Sequence, residues 1–349
     1  MKRYKKFIAE MIKLTVKDSV DGIGAAFPLR VVKFLLLFFV LVAGAFENKV
    51  FALERHSGAD FLKIGANARA ASLGDVQAAD PATDFFYNPA APAALILGYS
   101  PNKGKRQRIS FSHISAIEES ELENFSYTTY GGRLGFISVG VMFFHVKPIP
   151  VTLDSPDPIG ELVWRDFAFS LGVSRKIISS LVAGLTLKYI YRYTENPIFG
   201  KTEGRAYAAD GGVIFNPLPD SGRLLVGAAF TNYGTLMVYE PKEPKSDELP
   251  FSYRAGLKWT AYSDGFDEVF LLSDIVKAYG DDKYRPQFAA ELSFRRALFL
   301  RGGYVSSSGD IEGVCIGFGY DGGFYSVDIS NRPSGDLGRS SAVTVSIKW

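Results

Sequence analysis

The sequence predicts an all-β protein, a transmembrane antiparallel β-barrel of about fourteen strands preceded by an N-terminal helical or irregular hatch. Three observations predict it. From about residue 108 onward, apolar and polar residues alternate with period two, as in a strand with two unlike faces. Short turns take turns with longer polar connections, which a barrel produces when tight turns lie on one rim and loops on the other. Aromatic residues gather toward strand ends, among them Tyr191, Tyr193, Trp259, Tyr304, Tyr320 and Trp349, where interfacial girdles belong. A soluble sandwich also alternates, but it has no reason to sort its loops by length.

Composition agrees with this reading. At 14% aromatic, with 35 Gly and one Cys in 349 residues, the chain suits strands and turns. Beyond residue 52 no uncharged apolar run approaches the roughly 20 residues of a membrane helix, so a membrane domain here must be a barrel.

Residues 1–52 read as a secretory signal peptide with a long basic n-region. The apolar core is Phe34 to Phe46, preceded by Arg30 and Lys33 and followed by Val50-Phe51-Ala52. Cleavage is expected after Ala52, leaving Leu53 first. An uncleaved inner-membrane anchor and a start codon assigned too far upstream are the alternatives. No Cys follows the core, which excludes a lipoprotein. The first 52 residues carry nine Lys/Arg and four Asp/Glu, and without them 30 basic and 33 acidic residues remain. No basic surface survives to favour a nucleic-acid partner. Cys315 has no partner for a disulfide and reads as a small strand residue.

Residues 53–107 form the hatch segment. Ser57 to Ala79 is rich in small residues, with weak helical spacing through Phe61, Ile64 and Ala68. Then comes Phe85-Phe86-Tyr87-Asn88-Pro89-Ala90, where Pro89 holds Asn88 extended and marks a sharp boundary. Fourteen strands enclose a lumen too wide for wall side chains to fill, so a plug is needed if the barrel is not an open pore.

The strands follow at 108–115, 123–130, 133–146, 162–175, 180–194, 205–215, 223–234, 250–260, 266–276, 286–295, 298–305, 311–320, 324–330 and 340–349. Leu181, Ala183, Leu185 and Leu187 share one face of their strand while Gly184, Thr186, Lys188 and Arg192 share the other. The final strand sets Val343, Val345, Ile347 and Trp349 against Thr344, Ser346 and Lys348. It should pair with the first strand, with Trp349 at the periplasmic rim. Longer connections are expected near 115–122, 147–161, 195–204, 235–249, 277–285, 306–310 and 331–339.

The stretch GADFLKIGANARAASLGDVQAADPATDFFYNPAAPA, residues 58–93, resembles the N-terminal signature of the PorV/PorQ family, a branch of the FadL-type outer-membrane transport barrels. The matching parts are Phe-Leu-Lys-Ile-Gly at 61–65, Ala68-Arg69-Ala70, Leu73-Gly74 and the Asn88-Pro89-Ala90 box. Tyr87 and Ala91 depart from the Trp and Gly that often flank that box, which leaves the subgroup open. The resemblance implies a 14-stranded barrel whose hatch includes Asn88, Pro89 and Ala90. FadL-type members pass long-chain fatty acids or other hydrophobic compounds, whereas PorV-type members serve type IX protein secretion. The terminal Val343, Val345, Ile347 and Trp349 resemble the signal read by the outer-membrane assembly machinery.

Candidate ligand-lining residues are Phe85, Phe86, Tyr87, Arg254 and Arg301, the arginines for an anionic head group. The wider set of lumen charges, Asp166, Lys188, Arg192, Lys258, Asp274, Glu291, Arg295 and Asp328, reads better as pairs across the wall that hold the hatch. No catalytic constellation, phosphate loop or CxxC pair is present, so no enzyme and no cofactor is expected. His56, His113 and His145 lie far apart in the chain with no metal-ligand spacing, so no metal site is expected. Expected partners are outer-membrane lipid, the assembly machinery, and either a hydrophobic small molecule or secretion components, with the protein a monomer. A structural or adhesive barrel is a third reading, suggested by the acidic, Pro-rich stretch 235–249.

Overall fold

The computed structural model describes residues 57–95, 106–116, 119–153, 157–218, 222–240, 246–278, 284–305, 313–333 and 338–349. The expected leader, its cleavage point between Ala52 and Leu53, and His56 lie outside these residues.

Among the described residues fifteen strands run in order: β1 (Gln107–Ser115), β2 (Ser120–Tyr130), β3 (Phe136–Val151), β4 (Gly160–Ile178), β5 (Leu181–Asn196), β6 (Gly200–Phe215), β7 (Leu224–Gly234), β8 (Val238–Glu240), β9 (Ser252–Ser263), β10 (Glu268–Ala278), β11 (Arg285–Phe294), β12 (Leu298–Val305), β13 (Gly313–Asp321), β14 (Tyr325–Pro333) and β15 (Arg339–Lys348). All but β8 form a closed antiparallel barrel of fourteen strands. β15 pairs with β1 from Arg108↔Lys348 to Ser115↔Ser341, so the last strand closes on the first as expected. Closure leaves no unpaired strand edge, the condition for sheet structure inside a bilayer.

The two faces of each strand differ as the alternation demands. Leu185 and Leu187 on β5 are 60% and 66% exposed, while their neighbours Thr186 and Lys188 are buried. Val343, Val345 and Ile347 point outward in the same way, with Thr344, Ser346 and Lys348 inside. An apolar surface of this extent, running around the outside of a closed wall, is stable only in contact with lipid.

Two expectations about the connections change. The segments near 115–122, 147–161 and 195–204 are partly strand, since β2 begins at Ser120, β3 runs to Val151, β4 begins at Gly160 and β6 at Gly200. The ladder continues past the apolar belt into water, where outward positions need not be apolar. Hydrogen bonding persists after the alternation has stopped. β8 is the other addition: it lies in the β7–β9 connection and pairs with β6 at Glu203–Arg205.

Short turns occupy the rim that also holds Trp349, whose backbone pairs with Arg106 and Gln107. The β11–β12 turn places Arg295 and Arg296 at φ of 49° and 56°. Both central residues left-handed is the hairpin geometry that Asn-Gly usually supplies. Arg295 therefore sits in an exposed turn, and the expectation that it lines the lumen is corrected.

Candidate functional site

The segment 57–95 fills the lumen. Its start meets the β7–β9 connection on the long-loop rim, where Gly58 N donates to Glu248 O at 2.8 Å. Its end, Pro92 and Leu95, lies beside Arg106, Gln107 and Lys348 on the short-turn rim. Between them are a 3-10 turn at Asp60–Lys63, a one-turn helix α1 (Ala68–Ser72) and another, α2 (Ala91–Ala94). Asn67 caps α1 by accepting from Ala70 N at 2.7 Å, and Gly74 and Asp75 end it in the left-handed region. Helices this short have no stability of their own and depend on the wall for their shape.

Small residues on both sides allow close contact. Ala59, Ala68, Ala70 and Ala90 of the hatch are fully buried. Opposite them the wall presents Gly184, Gly212 and Gly227, where a Cβ would overlap the Pro89 carbonyl, the Asn88 side chain and the Ala78 carbonyl respectively. Glycine inside a strand is otherwise weakening, and here it marks backbone meeting backbone.

A chain of ion pairs of alternating sign runs from hatch to wall. Asp80 binds Arg69 within the hatch and Lys258 of β9 at 2.9 Å. Arg69 reaches Glu291 of β11 at 3.0 Å, Glu291 meets Arg301 of β12 at 2.5 Å, and Arg301 meets Asp328 of β14 at 2.6 Å. Three acids and three bases balance, which is what burial of charge requires. Two further ties flank the chain: Arg332 pairs with Asp75, and Asp274 accepts from Gln77 N and Ala78 N at 2.8 and 2.9 Å. Lys188 and Asp210 pair at 2.8 Å higher in the wall, as do Arg192 and Asp166.

These positions assign the residues singled out in the sequence. Asn88 Nδ2 donates to Ala78 O at 2.6 Å and to Val213 O of β6 at 3.2 Å, and its Oδ1 accepts from Ala90 N at 3.0 Å. One side chain thus joins two parts of the hatch to the wall, with Pro89 and Ala90 pressed beside it. Phe85 and Phe86 stack at 4.4 Å and pack against Gly140 and Gly172. Tyr87 Oη accepts from Ala66 N at 2.7 Å and pairs with Asp75 at 3.1 Å. Arg301 is engaged by Glu291 and Asp328, whereas Arg254 faces a cavity.

That cavity, about 210 Å³, lies on the long-loop side of the hatch. Its apolar side includes Leu62, Ile64, Phe86, Met142 and Val276; its polar side includes Tyr87, Lys188, Asn232, Arg254 and Gln287. Arg254 lies over the Tyr87 ring at 5.3 Å and donates to Asp75 O at 2.9 Å. Its Nε and the Oε1 of Gln287 are buried without a hydrogen-bond partner in the protein. The sequence placed Lys188 among the lumen charges but gave no sign of Asn232 or Gln287 in this role; Lys188 of β5 donates to Asn232 of β7 at 2.8 Å, and Gln287 comes from β11.

Two of the three histidines, far apart in the chain, lie on the wall's β1–β3 face. Register brings His113 of β1 opposite Glu123 of β2, and Glu121 of β2 opposite His145 of β3, all on the outer face. This proximity is invisible along the chain because three strands contribute to it.

No protein-family model matches the chain, and no curated protein matches it in sequence. Among solved structures it is similar to the Ralstonia pickettii toluene transporter TbuX, with a TM-score of 0.51 at 10% identity over 81% of this chain and 97% of that one. It is similar also to the CymD monoaromatic hydrocarbon channel, with a TM-score of 0.50 at 12% identity over 81% and 96% of the two chains. At such identities the shared property is the fold. The chain has the barrel fold seen in outer-membrane hydrocarbon transport proteins.

Proposed function

We propose that the protein is an outer-membrane channel of FadL type that passes a hydrophobic small molecule through a hatch-gated lumen. The observation that carries this is the cavity above the latched hatch, open to a mixed apolar and cationic lining. An apolar cavity of about 150 Å³ is enough for benzene. A space of about 210 Å³ suits one ring or a short acyl segment. The unpaired Arg254 Nε and Gln287 Oε1 favour a molecule with an apolar body and one polar or anionic end, such as a carboxylate, over a bare hydrocarbon. TbuX, a toluene transporter, and CymD, a monoaromatic hydrocarbon channel, support the broader reading of a hydrophobic small molecule as cargo.

The test is saturable uptake of radiolabelled lipophilic carboxylates and monoaromatics by liposomes holding the purified barrel. Saturation with any of them supports the reading. Linear leakage equal to empty liposomes, together with no copurifying lipophile, overturns it.

Assignment to the PorV/PorQ branch rests on the 58–93 signature and favours an accessory role in type IX secretion. That role requires a stable complex with a secretion-channel subunit in a pull-down from the native membrane. In either role the terminal Val343, Val345, Ile347 and Trp349 face lipid, where the assembly machinery would read them, and the barrel works as a monomer.

A further inference from the structure

The outer face of β1, β2 and β3 carries a cluster that the transport reading leaves unused. His113, Glu121, Glu123 and His145 occupy outward positions at the upper edge of the apolar belt. Phe111 and Phe125 lie next below them, and Phe143 and Phe167 stack at 4.6 Å alongside. Carboxylates on a lipid-facing surface are unfavourable unless something neutralises them.

We infer that His113, Glu121 and Glu123 bind a divalent transition-metal ion, with His145 as the fourth ligand. The ligand atoms of the first three lie within 4.8 Å of one another. His145 Nε2 stands 3.4 Å from Glu121 Oε2. Ligands on a tetrahedral zinc with bonds of about 2.1 Å are themselves about 3.4 Å apart. His113 Nδ1 and Glu123 Oε1, now 2.7 Å apart, need only a side-chain rotation to admit an ion between them. A second observation points the same way: Glu123 Oε2 is buried and has no hydrogen-bond partner, an acceptor that a cation would satisfy.

Two imidazoles with two carboxylates favour zinc and its transition-metal neighbours over calcium or magnesium, which prefer all-oxygen sites. Three adjacent strands of a closed sheet hold the ligands more rigidly than loops would. The ion would staple β1, β2 and β3 together near the long-loop rim. Arg165, opposite His145 on β4, is exposed and is the neighbouring cation that competes for the carboxylates.

The test uses the tag-free full barrel in detergent, stripped with chelator and titrated with Co²⁺, followed by its visible absorption and by Zn²⁺ displacement. One ion per chain is expected, with a rise in barrel melting temperature. His113→Ala and Glu123→Gln should each weaken binding by about 100-fold or more, and His145→Ala by about tenfold. His56→Ala should change nothing. Circular dichroism of each variant must match the parent. Absence of stoichiometric binding, or binding by His113→Ala and Glu123→Gln as tight as the parent's, overturns the site and leaves two His–Glu ion pairs.

Discussion

Replacing Arg69 by Met should loosen the hatch without harming the wall. Arg69 is buried and links Asp80 of the hatch to Glu291 of β11, the latter through two hydrogen bonds of 3.0 Å. Removing one partner of a buried ion pair costs about 3–5 kcal/mol. The lower end applies, because Asp80 keeps Lys258 at 2.9 Å and Glu291 keeps Arg301 at 2.5 Å. Neither carboxylate is stranded, so the loss is mainly that of the link between hatch and β11. About 3 kcal/mol on the closed state multiplies the open population by about two orders of magnitude. Single-channel recording in planar bilayers reads this directly. The parent should be almost silent, and Arg69→Met should show frequent openings of full lumen size, with faster protease cleavage within 57–95. If Arg69→Met stays as silent as the parent and equally protected, the ion-pair chain does not hold the hatch and the latch argument fails.

Other expectations follow from the same geometry. Gly212→Val places a side chain where the Asn88 carboxamide sits, so it should leak like Arg69→Met while the barrel still folds, since only the lumen face is altered; an unchanged conductance would mean that the hatch does not press on β6. Arg296→Gly should stabilise the barrel by about 1 kcal/mol, because it removes the strain of a left-handed non-glycine residue and loses only an exposed ion pair of 3.6 Å to Glu268. Equilibrium urea unfolding in lipid vesicles measures it, and destabilisation would contradict the turn geometry. Burial by itself raises the Asp80 carboxyl, but Arg69 and then Lys258 outweigh burial and hold it below the ordinary carboxylate range. The stabilisation from a depressed carboxylate is complete above the unfolded value of about 4 and is lost as pH falls through the folded one. The hold of Asp80 on the hatch should therefore stay constant from about pH 8 down to about pH 5 and weaken only in strong acid, so Asp80→Asn should change conductance equally at about pH 8 and about pH 5; an effect confined to the higher pH would contradict it.

The wall was legible because period two is enforced at every turn of the strand by lipid on one side and water or hatch on the other. The strand at 180–194 shows this in Leu185, Lys188 and Tyr191 alone. Strand ends were not legible, since Lys147, Glu161 and Lys201 lie above the belt and no longer report which face they occupy. The hatch was legible as a segment through its small residues and the Asn88-Pro89-Ala90 box. Its attachment was not, although a signal existed: Gly184, Gly212 and Gly227 interrupt strands on their inward faces, and that pattern means close approach of another backbone. The His113 and His145 cluster required register, which no single strand contains. Which of Arg254 and Arg301 faces the cavity was likewise undecidable, because both alternate correctly and only Glu291 and Asp328 distinguish them.

The path of the hatch has one more consequence, for how the pore can move. If the chain is cut after Ala52, the cleavage expected from the sequence, it joins this segment to the wall at its C-terminal end alone, while at the opposite mouth Gly58 is held by its hydrogen bond to Glu248. A plug made from a loop is anchored twice and must fold on itself to clear a pore. One anchored once can slide or swing about a single pivot, with no strand leaving the sheet. Its freedom grows with distance from that pivot, so the first turns to yield should be those at Asp60–Lys63, beside the cavity, and the last those around Asn88.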